Sequence, residues 1–137
     1  MDHSGAADVE LRLPAERVYA AVVRTTAAGL AARLDFTIDD IEDLRIAIGE
    51  ATTLVLEAAS PGADLTCRFR FGLGAPILAV ELETATADDQ PVDLESFAWQ
   101  VLDTMTEEAS AQNRDERFLV RFLVESDASP QIPGAPH

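Results

Sequence analysis

Glu50 is the side chain in this sequence whose type and setting best suit chemistry. It stands in "GEATTLVLEAA", Gly49 to Ala59, a helical run in which apolar side chains follow one early acid. A carboxylate on a helix can act as a general base, or it can hold a metal with help from an oxygen or nitrogen ligand one turn away. The residue one turn on, sharing its face, is Leu54, which offers neither atom. Thr53 has a hydroxyl, but it projects about 100° away around the helix. Other reactive side chains are scarce. His3 and His137 lie at opposite ends of the chain, so no histidine dyad or histidine zinc site can be assembled from them. Cys67 is the only cysteine, which rules out an internal disulfide and argues against a thiolate metal site. Within the alternating run "LTCRFRF" it reads as a small buried apolar residue.

The elements that must position these residues belong to a single domain. The chain has 137 residues, 47% of them hydrophobic, enough for one proper core and too few for two. The formal net charge is -15, which argues against direct binding to a phosphate backbone. An acidic surface suits a basic protein partner, or solubility alone. All ten basic residues are Arg, a bias that fits a GC-rich genome. No apolar run approaches the ~18 residues of a membrane span, and "MDHSGAADVE" lacks the features of a signal peptide. A soluble, cytoplasmic protein without a membrane partner is expected.

"DVELRLP" alternates Val9, Leu11 and Leu13 with polar neighbours and predicts a first strand. Pro14 suits the first turn of a helix running to about Leu34, with Val18, Val22 and Leu30 as core positions. Gly29 inside it implies close packing or a weak point. Thr37 caps a second helix, with Asp39 and Asp40 in its first turn. Ile41, Leu44, Ile48, Val55 and Ala59 line one face of this helix before Pro61 and Gly62 break it. Two strands follow, with Leu65, Cys67, Phe69 and Phe71 facing inward on one and Leu78, Val80 and Leu82 on the other. "ATADDQPVDLES" reads as a loop, and a helix begins at Glu95 or Ser96 and runs through "FAWQVLDTMTEEA". Phe97, Val101, Leu102 and Met105 form its apolar stripe. Trp99 falls roughly 200° from Phe97, which leaves it either in the core or exposed as an interface anchor. "SAQNRDE" reads as a loop or hairpin segment before a last strand, "RFLVRFLVE". The order β-α-α-β-β-α-β predicts an α/β (α+β) two-layer sandwich, a mixed or antiparallel sheet with helices on one face. Arg68, Arg70 and Arg121 are expected on the other face. Residues 1–7 read as a flexible N-terminus, 8–125 as the domain and 126–137 as a disordered Pro-rich tail.

The run "FTIDDIEDLRIAIGEATTLVLEAA" resembles the nucleotide-binding helix of RsbW-like anti-sigma factors, small serine kinases of the GHKL (Bergerat) ATPase fold. The element order is similar to that family's from about Val9 to Glu125. "SFAWQVLDTMTEEA" further resembles a divergent actinobacterial branch. The resemblance implies that Glu50 matches the family's catalytic base and that Leu54 replaces the Asn that binds magnesium. Thr84, Thr86 and Asp88 stand where an adenine-reading Asp and two glycines belong. Leu94, Glu95 and Ser96 stand near a second glycine-rich loop, whose backbone N–H groups would approach phosphates. Loss of nucleotide use follows as the expectation, with no cofactor bound and Glu50 a relic or a partner contact. The resemblance also implies that Arg24, with Thr25, is a partner-binding position on the first helix.

The expected function is therefore that of an anti-sigma factor. It would sequester an alternative sigma factor by direct binding and release it to a STAS-type anti-anti-sigma protein. Homodimers, which occur in the family, are a further implied state. Two alternatives stand beside this reading: an active serine/threonine kinase using ATP and magnesium on an anti-anti-sigma protein, and an acidic adaptor without a sigma-factor partner.

Overall fold

The computed structural model describes residues 7–72, 76–87 and 92–126. Strand β1 spans Val9–Pro14, and a single 3-10 turn at Arg17–Tyr19 leads into helix α1, Ala20–Arg33. Helix α2 covers Ile38–Ala58, and strands β2 (Asp64–Phe71) and β3 (Ile77–Ala85) follow it. Helix α3 (Phe97–Met105), strand β4 (Glu107–Arg114) and strand β5 (Arg117–Glu125) complete the order. The strands among the described residues form one antiparallel sheet in the order β1-β2-β3-β5-β4. Helix α2 lies on β3 and β5, with α1 and α3 packed on either side of it. The result is an α+β fold of two layers, compatible with a GHKL-like arrangement.

Strand alternation divides the sheet into two chemically distinct faces. Leu65, Cys67 and Phe69 of β2, Leu78, Val80 and Leu82 of β3, and Phe118, Val120, Phe122 and Val124 of β5 are all buried toward the helices. Cys67 is fully buried there, and its thiol is pushed up to about 12, burial outweighing the opposing pull of the Arg68 charge. A thiol so protected stays protonated and is a core side chain, not a reactive one.

The outer face is an ion-pair lattice. Glu81 and Glu83 on β3 sit among arginines from both neighbouring strands. Arg70 lies 3.2 Å and Arg121 3.1 Å from Glu81, while Arg68 lies 2.9 Å and Arg117 3.0 Å from Glu83. The register explains this, because Arg68 and Arg121 are the direct cross-strand partners of Glu81. Arg68, Arg70 and Arg121 lie on this face, as their alternation with the apolar positions requires.

Helix α1 differs from the sequence-based expectation. Pro14 ends β1, and the helix begins only at Ala20. Val18 is 74% and Val22 41% exposed, while Val23, Ala27 and Ala31 fill the core instead. Small side chains let α1 approach α2 closely. Gly29 faces open space, and a Cβ there would meet nothing within 4 Å, so close packing does not account for it. The helix ends in a Schellman motif: Phe36 N–H bonds to Ala31 O and Asp35 N–H to Ala32 O, with Asp35 in the left-handed region at φ 63.

The N-terminus of α2 is fixed from two sides. The Thr37 side chain accepts a hydrogen bond from Asp40 N–H at 3.1 Å and donates to the Asp40 carboxylate at 2.7 Å. Ser126, just past β5, also donates to that carboxylate, at 2.8 Å. Asp40 is buried, so these donors offset the cost of holding a carboxylate out of water.

In α3, Ser96 caps the helix and directs Trp99 and Leu102 inward. Phe97, expected in the apolar stripe, is instead 77% exposed. The helix stops at Met105, and "EEASAQNR", read from sequence as helix end followed by a loop or hairpin segment, is the edge strand β4, which forms a hairpin with β5.

Two measurements check these forces. Thr37→Ala removes the cap and a donor to Asp40 and should cost about 1–2 kcal/mol in urea unfolding. Burial pushes the Glu83 carboxyl up, but hydrogen bonds from Arg117 and Arg68 outweigh it and hold it below its ordinary 4.5. A lowered folded value stabilises fully above the unfolded value and is lost as pH falls through the folded one. The stability gap between the wild type and Glu83→Gln should therefore be widest near neutrality and close as pH drops below about 4.

Candidate functional site

Helix α2 is the element on which the candidate residues meet. Leu44, Ala47, Ile48, Ala51 and Val55 form its buried face against the sheet. The residues beside this face fall on two flanks. Glu50 and Leu54 are one turn apart on one flank, and Gly49, Thr52, Thr53 and Leu56 lie on the other, about 130° around the axis.

On the first flank Leu54 is only 8% exposed and belongs to the core cluster. Its neighbour Glu50 is half-buried and makes no ion pair or hydrogen bond among the described residues. Thr84 is fully buried on the inner face of β3, and its hydroxyl donates to the Asp64 carbonyl at 2.9 Å. Thr86 is buried as well, and its N–H donates to Glu116 O. Asp88 lies outside the described residues. Leu94 and Glu95 are exposed, and Glu95 N–H donates to the Asp93 carboxylate at 3.0 Å.

These residues do not fit a magnesium nucleotide. Leu54 puts hydrocarbon where a ligand oxygen would be needed, and magnesium parts reluctantly with its water shell. Thr84 is fully buried, and its single hydroxyl lacks the paired acceptors of a carboxylate. Thr53 cannot stand in for Leu54, because it lies on the other flank and its hydroxyl donates to Gly49 O.

The second flank opens onto a cleft of about 160 Å³ between α1 and α2. Arg17 and Arg24 line it from the α1 side, with Gly49, Thr52, Thr53 and Leu56 opposite. The stem of Arg24 crosses α2 at Gly49, where an added Cβ would meet Arg24 Cδ at 3.8 Å. Thr25 is exposed on the outer side of α1, about 100° from Arg24. The structure thus brings Arg24 to α2 at Gly49, about 100° around the helix from Glu50, and leaves Thr25 facing solvent. Trp99 is 8% exposed within the core cluster, so the exposed-anchor reading of it is corrected: Ser96 fixes the phase of α3 and turns the indole inward.

Sequence reasoning missed the outer surface of α1. Val18 and Val22 stand one turn apart, with Thr25 and Gly29 continuing the same stripe at helical spacing. The signal was present in the alanines at positions 27 and 31, whose small size marks a helix–helix contact.

The fold and its central helix define a small α+β domain organised around one carboxylate-bearing helix. No family model matches the chain. Over 51 residues, 37% of its length, the chain is 47% identical to Serine-protein kinase RsbW of Bacillus thuringiensis. The same identity over the same length holds for Serine-protein kinase RsbW of Bacillus velezensis and of Bacillus cereus. The matched stretch covers 32% of each of these relatives, so the chain is homologous to the RsbW serine-protein kinases over about a third of their length.

The two residues of the first flank have different energetic roles. Leu54→Ala should cost about 2–5 kcal/mol in denaturant unfolding, as for a buried leucine. Glu50→Gln should stay within about 0.5 kcal/mol of the wild type in the same assay.

Proposed function

We propose that this chain is an anti-sigma factor that works by binding and has lost nucleotide chemistry. Its partner in this reading is an alternative sigma factor, and a STAS-type anti-anti-sigma protein releases it by competing for the same surface. The observation that carries the proposal is the outer stripe of α1. Val18, 74% exposed on the 3-10 turn, and Val22, 41% exposed on α1, present continuous apolar surface with no packing partner among the described residues. Exposed aliphatic side chains on the 3-10 turn and the first turn of α1, beside polar Thr25, have the composition of a protein interface, in which apolar contact supplies affinity. The partial similarity to RsbW kinases and the resemblance in α2 favour the sigma-factor class of partner. A net charge of -15 supports fast encounter with basic regions of such a partner.

In this reading Glu50 is a relic of a catalytic base or a contact at the edge of the interface, since Leu54 removes the metal ligand beside it. The similarity to serine-protein kinases favours a second reading, that of a kinase, which in this family resemblance would act on an anti-anti-sigma protein. Leu54 and the buried hydroxyl of Thr84 weigh against it.

Tagged full-length chain, purified from its host, should carry a sigma factor identifiable by mass spectrometry. The double change Val18→Asp with Val22→Asp should weaken that complex by at least about a hundredfold, two apolar contacts replaced by buried charge. No complex with any host sigma factor, or full affinity in the double variant, would contradict the assignment.

A further inference from the structure

The cleft between α1 and α2 is left over once the partner surface and the Glu50 flank have been assigned. Its lining includes Arg17 and Arg24 and no carboxylate. That is unusual in a chain with 25 acidic residues against ten arginines. Neither arginine has an acidic partner within 4 Å among the described residues, whereas Arg68, Arg70, Arg117 and Arg121 on the sheet all do. Thr52, in the same lining, is 1% exposed, and its hydroxyl has no hydrogen-bond partner among the described residues. Buried hydroxyls are nearly always satisfied, and a Thr inside a helix commonly bonds the carbonyl one turn back, as Thr53 does. Two arginines without an ion pair and one unsatisfied buried hydroxyl therefore line a single small space.

We infer that this cleft is a binding site for a phosphate group. About 160 Å³ is well below the roughly 300 Å³ of an ordinary small-molecule pocket, so it admits one compact group and not a whole nucleotide. Two guanidinium charges match a phosphate monoester, which carries about -1.5 to -2 at neutral pH, better than a singly charged carboxylate. Guanidinium geometry also suits phosphate oxygens, and the Thr52 hydroxyl supplies a further donor. The centre of the site lies about 130° around α2 from Glu50 and Leu54, and neither of those residues lines it, so it is distinct from the flank where the resemblance places nucleotide. It requires no sigma-factor partner, and its test uses the isolated chain.

The test is titration of the full chain with inorganic phosphate at constant ionic strength, followed by amide NMR and by Tm. The proposal expects saturable shifts centred on Gly49, Thr52 and Thr53, a Kd of about 1 mM or tighter, and a Tm that rises with phosphate. Arg17→Gln and Arg24→Gln should each weaken binding by about tenfold or more. Thr52→Val keeps the shape of the side chain; it should raise the Tm of the free protein and lower its affinity for phosphate. Phenyl phosphate should bind at the same residues if the natural ligand is an ester, and only free phosphate should bind if it is the inorganic ion. Saturable binding of acetate as tight as that of phosphate would overturn the assignment. So would the absence of saturable shifts up to roughly 50 mM phosphate, or an unchanged Kd in both folded arginine variants and in Thr52→Val.

Discussion

The packing of α2 on the inner face of the sheet is the constraint on which the rest of the structure depends. Leu44, Ile48, Ala51 and Val55 are fully buried, and so are Val80, Leu82, Val120 and Phe122 on the central strands β3 and β5. Burying this much apolar surface fixes the rotation of the helix about its axis, because a turn of even one residue would bring Gly49 or Glu50 into the core. With that rotation set, every other position on α2 has its role assigned. Leu54 borders the core, Glu50 sits at the edge, and Thr52 is held at the α1 contact. The Thr37–Asp40–Ser126 hydrogen bonds then lock the helix along its axis by joining its first turn to the end of β5.

The two faces of the sheet solve opposite problems with the same alternation. The inner face is apolar and carries the helices. Among the described residues no helix covers the outer face, and its central carboxylates, Glu81 and Glu83, are only modestly exposed beneath arginines from adjoining strands. Cross-strand pairing satisfies these charges within the sheet, which makes the face polar and locally balanced in a strongly acidic protein. Arginines committed to such a lattice are poor anchors for a partner. Arg17 and Arg24, like Arg12, Arg33 and Arg45, carry no ion pair among the described residues, and of these Arg17 and Arg24 line the cleft between α1 and α2.

Much of this was legible in the sequence, for identifiable reasons. Alternation over Leu65–Phe69, Leu78–Leu82 and Phe118–Val124 gave strands whose inward residues are those found inside, because a half-buried strand with a solvated opposite face writes a clean period of two; Phe71, expected inward, is 36% exposed at the end of β2. Helix α2 was readable from its cap, its apolar face and its Pro-Gly stop. Helix α1 was not, because apolar residues occur all round it and larger valines outweigh alanines in any hydrophobicity reading. The close approach of α1 to α2 favours alanine, so Val23, Ala27 and Ala31 went inward and Val18 and Val22 outward. Strand β4 was hidden for another reason. It is an edge strand with a register shift between Glu107 and Ser110, and polar edges carry little alternation. At the site, the identities of Glu50, Leu54 and Arg24 were visible, but the cleft was not, since it depends on two helices meeting.

The account turns on Leu54. In the proposed reading, a helix with core hydrocarbon one turn from its acid should hold its fold without a nucleotide and bind proteins through α1. Isothermal titration of the full chain with magnesium ATP tests this most directly. The account predicts no saturable heat at submillimolar nucleotide, and binding with a dissociation constant of micromolar order would contradict it.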